Sequence, residues 1–331
     1  MTLISLGDMA QSFMLRRQNL ALKTDQQRLS VEMASGRAAD IARQVGGDFT
    51  PLSAVEASLA RLGSLRTATS EAAEMTEAMQ TVLSTVEALA SDHAPALLMA
   101  ANSGNVAAVG RESATRFEAA VAAFNTRTAD RTLFAGVATD GPALADAETI
   151  LAALDVAIAG ATSAEGVEAA VTAWFAAPSG YATLAYRGGD ARAPIPVAPG
   201  ENVPITTTAL DPAIAGTLKA LALGAMLARG ALAGNGAAQA RLARLSGEAL
   251  LSTQTQRVDL AAYIGLAEGR IEQAAVRNAA ETSALQIART GLVAVDPYET
   301  AMRLEATETQ LEALYAITAR ISRLSLVDFI R

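Results

Sequence analysis

The chain has 331 residues, a net charge of −8 and a hydrophobic fraction of 51%, of which aromatics are only 4% of the chain. With no cysteine and a single histidine, His93, it can build neither a disulfide framework nor a thiolate or multi-histidine metal site. The acidic balance, without any lysine/arginine block, argues against nucleic-acid binding, and no run of about 18 apolar residues is available to span a bilayer.

Much of the apolar fraction is alanine, the strongest helix former and a weak core former, so helix is expected rather than a large aromatic core. The start, Met1 to Asp8, lacks the basic residues, unbroken apolar stretch and small-residue cleavage site of a secretory signal. A chain of this kind that leaves the cytoplasm is expected to use another route.

The first helix is expected from about Ile4 to Ser35, stopped by Gly36. A loop containing Gly46-Gly47-Asp48 follows, and Thr50-Pro51 reads as a cap with proline in the first turn. The apolar positions Val55, Leu59, Leu62, Leu65, Met75, Met79, Val82, Val86 and Leu89 carry that second helix to about Ala90. A third is expected from about Pro95 to Leu133, with Phe117, Val121 and Phe124 on one side. Residues 141–180 read as short alanine-rich helices. Tyr181 to Thr208, rich in glycine, proline and β-branched residues, is the convincing strand region. Asp211-Pro212 opens another helix through Leu218, Leu221 and Leu227, and Gly234-Asn235-Gly236 breaks it. A long helix is expected from about Ala237 to Val295, and Asp296-Pro297-Tyr298-Glu299 reads as a capping box that starts the last arm.

The expected fold is mainly α: a long antiparallel helical bundle or coiled coil formed by the N- and C-terminal arms, with a small α+β middle domain. The expected divisions are an assembly arm at 1–45, the first half of the bundle at 46–140, a middle insert with a β-hairpin at 141–236, the second half of the bundle at 237–295, and a second assembly arm at 296–331. Leu260, Ile264, Ala267, Ile271, Ala274, Asn278, Glu281, Leu285, Ala288, Leu292 and Val295 alternate by four and three as a heptad seam. Asn278 and Glu281 interrupt it, and the simpler reading exposes the helix there; the alternative gives them a register-fixing role.

The terminal arms are apolar on two sides. Leu6, Phe13 and Leu20 share one stripe and Leu15, Leu22 and Leu29 another, about 2.5 turns away. In the last arm Leu304 and Leu311 lie on one stripe, with Ile317 and Leu324 rotated away from it. One intramolecular neighbour cannot cover both sides, which marks these ten residues as an assembly interface. Burying ten such side chains is worth on the order of 15–30 kcal/mol gross, enough to offset the ordering of two arms on binding.

Catalytic groupings are not expected. Asp92-His93 at a helix boundary reads as a capping or solvated pair, Gly46-Gly47 and Gly188-Gly189 as turns without a nucleotide-binding context, and Glu71, Glu74 and Glu77 as a solvated face. Trp174-Phe175 reads as a small core of the middle region. No nucleophile, base and orienting group fall together, so the chain is expected to be a non-enzyme with no catalytic, cofactor-binding or metal residues and no cofactor.

Three stretches carry a resemblance. Leu29-Ser30-Val31-Glu32-Met33-Ala34-Ser35-Gly36-Arg37 is similar to the end of the first flagellin helix. Phe124-Asn125-Thr126-Arg127 through Asp130-Arg131-Thr132-Leu133-Phe134-Ala135-Gly136-Val137-Ala138-Thr139-Asp140-Gly141-Pro142 is similar to the family's Asn-x-x-x-x-Gly-x-Tyr-Leu-Phe-Ser/Ala-Gly-x-x-Thr-Asp-x-x-Pro stretch. Asp296-Pro297-Tyr298 through Arg320-Ile321-Ser322-Arg323-Leu324-Ser325-Leu326-Val327-Asp328-Phe329-Ile330 is similar to the tail of its hook-associated members. The sequence thus resembles the flagellin family, in its hook–filament junction branch, with Leu133, Phe134, Gly136, Asp140 and Pro142 as motif residues. It departs at Thr132 (usually aromatic) and in the loop 41–48, which lacks the family's Pro-Ser/Ala-Asp-Asp-Pro turn.

The resemblance implies a structural protein exported unfolded by the flagellar type III apparatus and located outside the cell at the hook–filament junction. The implied partners are other copies of itself, the adjacent hook-junction protein, flagellin or the filament cap, and an export chaperone, with no nucleic acid and no membrane insertion. Filament flagellin itself, or a cytoplasmic coiled-coil interaction protein, remain the alternatives at this point.

Overall fold

The computed structural model describes residues 6–330, with side chains from 9 to 321. Among the described residues the protein is mainly helical with two small two-stranded sheets. It divides into two compact units, one made of Met1–Leu62 and Ala280–Arg331, the other of Gly63–Ala279.

In the first unit α1 (Leu6–Ser35) and α10 (Pro297–Ile330) pair antiparallel. The Lys23 ammonium lies 5.9 Å from the Tyr315 ring centre, and Gln26 donates to Glu308 at 3.3 Å. After α1 the chain turns at Gly36, whose φ of +66° is left-handed and suits glycine. It passes the short α2 (Ile41–Gln44), capped by Asp40, and enters α3 (Thr50–Ser103), where the Asp48 carboxylate accepts the Thr50 N–H at 2.9 Å. Asp296 caps the start of α10 by accepting from Tyr298 and Glu299 N–H. The end of α9 (Gln254–Val293) meets the start of α3 through an Arg289–Glu56 ion pair at 3.3 Å.

The second unit holds the rest of α3, then α4 (Val106–Phe124), a tight hairpin of β1 (Arg127–Thr128) and β2 (Arg131–Thr132), α5 (Ala147–Ile158) and α6 (Ala164–Ala176). A second antiparallel hairpin, β3 (Ile195–Ala198) with β4 (Glu201–Val203), precedes α7 (Pro212–Ala228), α8 (Gly236–Ser252) and α9. Helix α7 is the centre of this core: from Leu218 to Met226 every residue except Lys219 is buried. Small residues let its neighbours come close. A Cβ at Gly110 of α4 would lie 2.7 Å from the Leu227 Cβ, and one at Gly224 would meet the Ser113 hydroxyl at 2.4 Å. The α8 side is fixed by the Ser246 hydroxyl, which donates to the Ala220 carbonyl at 2.8 Å.

Several boundaries differ from the sequence reading. No break falls at Pro95: α3 runs through it to Ser103 and stops at Gly104, where φ is +75°. Proline removes one helical hydrogen bond, but Ala94 and Leu97 beside it are fully buried, and that packing outweighs the local loss. The next helix ends at Phe124 rather than Leu133, because residues 127–132 turn back as the β1–β2 hairpin. The long helix before Val295 divides at Thr253 into α8 and α9. In the strand region 195–198 and 201–203 pair as a hairpin, and Tyr186 makes an isolated antiparallel bridge with Leu144. Tyr181–Ala185 forms a π-helical turn, and Ile205, Thr207 and Thr208 are buried without pairing.

Two side chains also depart from expectation. His93 is neither cap nor solvated; it is buried within α3, with Nε2 2.6 Å from the Ser113 hydroxyl. Asn278 is buried too, because β3 covers the seam there and the Asn278 amide donates to the Val197 carbonyl at 2.7 Å. Glu281 is exposed. Trp174 and Phe175 do form a small aromatic core, with ring centres 5.2 Å apart and Tyr181 stacked 4.9 Å from Phe175.

Candidate assembly interface

The facing sides of α1 and α10 follow from heptad spacing. Leu15 and Leu22 are half-buried and Leu29 is buried, while α10 contributes half-buried Leu304 and buried Leu311. Leu314, three residues beyond Leu311 and thus on the same side, is equally buried; the i+3 step could have identified it. Next to this seam the Tyr315 hydroxyl is held below its ordinary pKa, first by a hydrogen bond with Asn19 and then by Lys23.

The other side of α1 is exposed among the described residues. Phe13 is 65% and Leu20 69% exposed, and Met9 and Met14 extend the same apolar surface. Met9, Phe13 and Leu20 are spaced by four and seven, so the methionine was also readable as part of the stripe. On α10 Ile317 is 51% exposed, with Met302 and Tyr298 also outward. Leu6 and Leu324 fall in helical backbone, but their side chains lie outside the described residues. The ten expected residues thus separate, where described, into an occupied inner seam and a bare outer stripe. Large apolar side chains left in water along a helix mark an interaction surface.

The motif residues sit in the second unit. Leu133 and Phe134 are buried, and the Phe134 ring meets Phe124 edge-on at 5.2 Å. Gly136 has φ +60°, and a Cβ there would lie 2.2 Å from the Asp190 carbonyl oxygen. The two strands of chain are stitched by Val137 N–H to Asp190 O and Gly189 N–H to Ala135 O, both at 2.9 Å. The Arg192 guanidinium closes the knot on the carbonyls of Gly136 and Thr132. Burial pushes its pKa down, with the nearby Arg131 charge adding to the effect. Thr132, in place of an aromatic, is buried and donates to the Gly141 carbonyl at 2.6 Å. Asp140 and Pro142 are exposed. Asn125, the asparagine at the head of the motif stretch, exchanges two hydrogen bonds with the Leu144 backbone, and Arg192, which had no spacing signal to reveal it, holds the region from the other side.

Residues 247–330 match the family model of the bacterial flagellin C-terminal helical region, spanning the end of α8, α9 and α10. The match supports the flagellin family. No match is found among curated proteins. A flagellin-type C-terminal region supports a structural role in the bacterial flagellum, in which subunits polymerise outside the cell. In flagellin terms, the matched segment contributes both the buried seam of α9 and one of the two pairing arms. Among the described residues no helix is long and apolar enough to cross a membrane, and no group of three or more acidic or histidine side chains could hold a metal ion.

Proposed function

We propose that this chain is a junction subunit that joins hook to filament, packing its paired terminal helices against neighbouring copies. The observation that carries the reading is the bare outer stripe of Phe13, Leu20 and Ile317 on helices whose inner seam is already filled. A neighbour that covers this stripe removes several large apolar side chains from water, each worth about 1.5–3 kcal/mol when fully buried. The partners in this reading are further copies of the chain, the hook-side junction protein, and flagellin or the cap above; an export chaperone would shield the same stripe before assembly. The Leu133 to Pro142 stretch and the Ser325 to Ile330 tail favour the junction over the filament itself.

The test is fractionation of sheared flagella and of isolated hook-basal bodies. A junction subunit is a trace component that stays with the hook end. Recovery as the dominant protein along the filament would make it the filament flagellin, and recovery only in the cytoplasm would overturn both assignments.

A further inference from the structure

The inner face of α1 repeats itself. Half-buried or buried positions run Ser12 with Leu15, Asn19 with Leu22, and Gln26 with Leu29, one polar residue and one leucine in each heptad. The face of α10 repeats in part, with Leu304 seven residues from Leu311 and Leu314 seven from Ile321, while the half-buried Thr307 stands seven residues before Leu314. Sliding one helix along the other by seven residues, about 10 Å, therefore returns the α1 pattern to itself and still sets its leucines against Leu304, Leu311 or Leu314 of α10. The cross-contacts along the pair do not resolve this degeneracy strongly. Gln26–Glu308 and Lys23–Tyr315 are exposed, and such contacts are worth a fraction of a kcal/mol.

The non-repeating contacts lie at the root of the pair. The Glu32 carboxylate, only 6% exposed, accepts the Ala39 N–H at 3.1 Å and an Arg28 guanidinium N–H at 3.3 Å, while the Glu32 carbonyl accepts the Gly36 N–H. That fixes the path of residues 36–39. Arg37 then forms an isolated antiparallel bridge with Ala294, through Ala38 N–H to Val293 O at 2.9 Å and Val295 N–H to Gly36 O at 3.2 Å. The Gln44 amide adds a bond to the Ala294 carbonyl at 2.9 Å. A seven-residue slide breaks the three bonds to residues 293–295 and offers no equivalent set, while the Glu32 bonds, all within residues 28–39, hold the segment that makes them.

We propose that this bridge, shaped by Glu32, is a register stop that selects one of several heptad-spaced pairings of the terminal helices. The inference concerns pairing within one chain and holds whether or not the chain polymerises.

The natural absence of cysteine permits a direct test in the full-length chain. Gln26→Cys is combined with Glu308→Cys for the observed register, and with Ala301→Cys or Tyr315→Cys for the two slipped ones. Oxidised products are quantified by mass spectrometry, and helix content by circular dichroism. With the bridge intact the 26–308 product dominates. Adding Glu32→Ala with Gln44→Ala raises the ratio of slipped to in-register product about tenfold at unchanged helix content, whereas Glu32→Gln, which keeps an acceptor for the Ala39 N–H, restores the original ratio. An unchanged ratio in the alanine variant, slipped products already abundant with the bridge intact, or loss of helix content together with every cross-link would each overturn the proposal.

Discussion

His93 places its Nε2 2.6 Å from the Ser113 hydroxyl inside a core where its Nδ1 meets no protein partner. The Ser113 hydroxyl donates to the Val109 carbonyl at 2.9 Å, so it accepts from the ring, and Nε2 carries the proton of a neutral imidazole. Burial, with the Arg116 charge in second place, lowers the His93 pKa to about 4, and the Glu112 carboxylate opposes this weakly.

The sign of the resulting pH dependence follows. Between the unfolded value near 6.5 and about 4 the unfolded chain binds a proton that the folded chain refuses, so stability falls as pH drops through that window. One such group contributes a slope of at most about 1.4 kcal/mol per pH unit. Urea midpoints measured from pH 7 to pH 4.5 should fall in the parent chain, and His93→Gln should flatten that slope. Equal slopes in the two proteins would refute the assignment.

Gly136 and Gly46 share nearly the same left-handed φ, +60° and +62°, but differ in surroundings. A Cβ at Gly46 meets nothing within 4 Å, whereas one at Gly136 overlaps the Asp190 carbonyl. Gly46→Ala should therefore cost only the backbone term, about 1–2 kcal/mol, and Gly136→Ala clearly more, because the 135–137 and 189–190 strands must part. Denaturation midpoints of the two variants, compared side by side, measure the difference.

The β1–β2 turn runs through Ala129 and Asp130 with φ of +48° and +60°, which is unfavourable for alanine. Both central residues of this two-residue hairpin are left-handed, the arrangement that Asn-Gly adopts most readily. Ala129→Asn with Asp130→Gly should raise stability by about 1 kcal/mol and leave helix content unchanged, as read by thermal unfolding.

The two faces of the arms should respond differently to charge. Phe13→Asp with Leu20→Asp alters side chains already in water, so monomer helix content should persist while sedimentation shows loss of polymer. Leu15→Asp with Leu311→Asp places carboxylates in the inner seam and should unpair the arms at a cost on the order of 3 kcal/mol or more, leaving the second unit folded. Polymer formation by the outer-face variant at parent levels would remove the basis of the assembly reading.

The arms were legible in the sequence because heptad leucines and capping residues such as Gly36 and Asp296 act locally. The helix through Pro95 was not, since its continuity rests on burial against helices distant in sequence, which no local preference encodes. Asn278 looked like a flaw in an apolar seam until β3 supplied a carbonyl for its amide. His93 misled for the same reason, because the Ser113 that receives it comes from another helix twenty residues on. Within the motif, the need for glycine at position 136 follows from a carbonyl more than fifty residues away, a constraint that only the folded backbone reveals.

The common root of α1 and α10, tied from Gly36 to Val295, makes the two ends of the polypeptide reciprocal. Trimming the leading end would bare Leu311 and Leu314, and trimming the trailing end would bare Leu15, Leu22 and Leu29, so damage at one extremity is transmitted to the other. Tags or fusions are therefore better tolerated at an exposed internal turn such as Pro199–Gly200 than at either extremity.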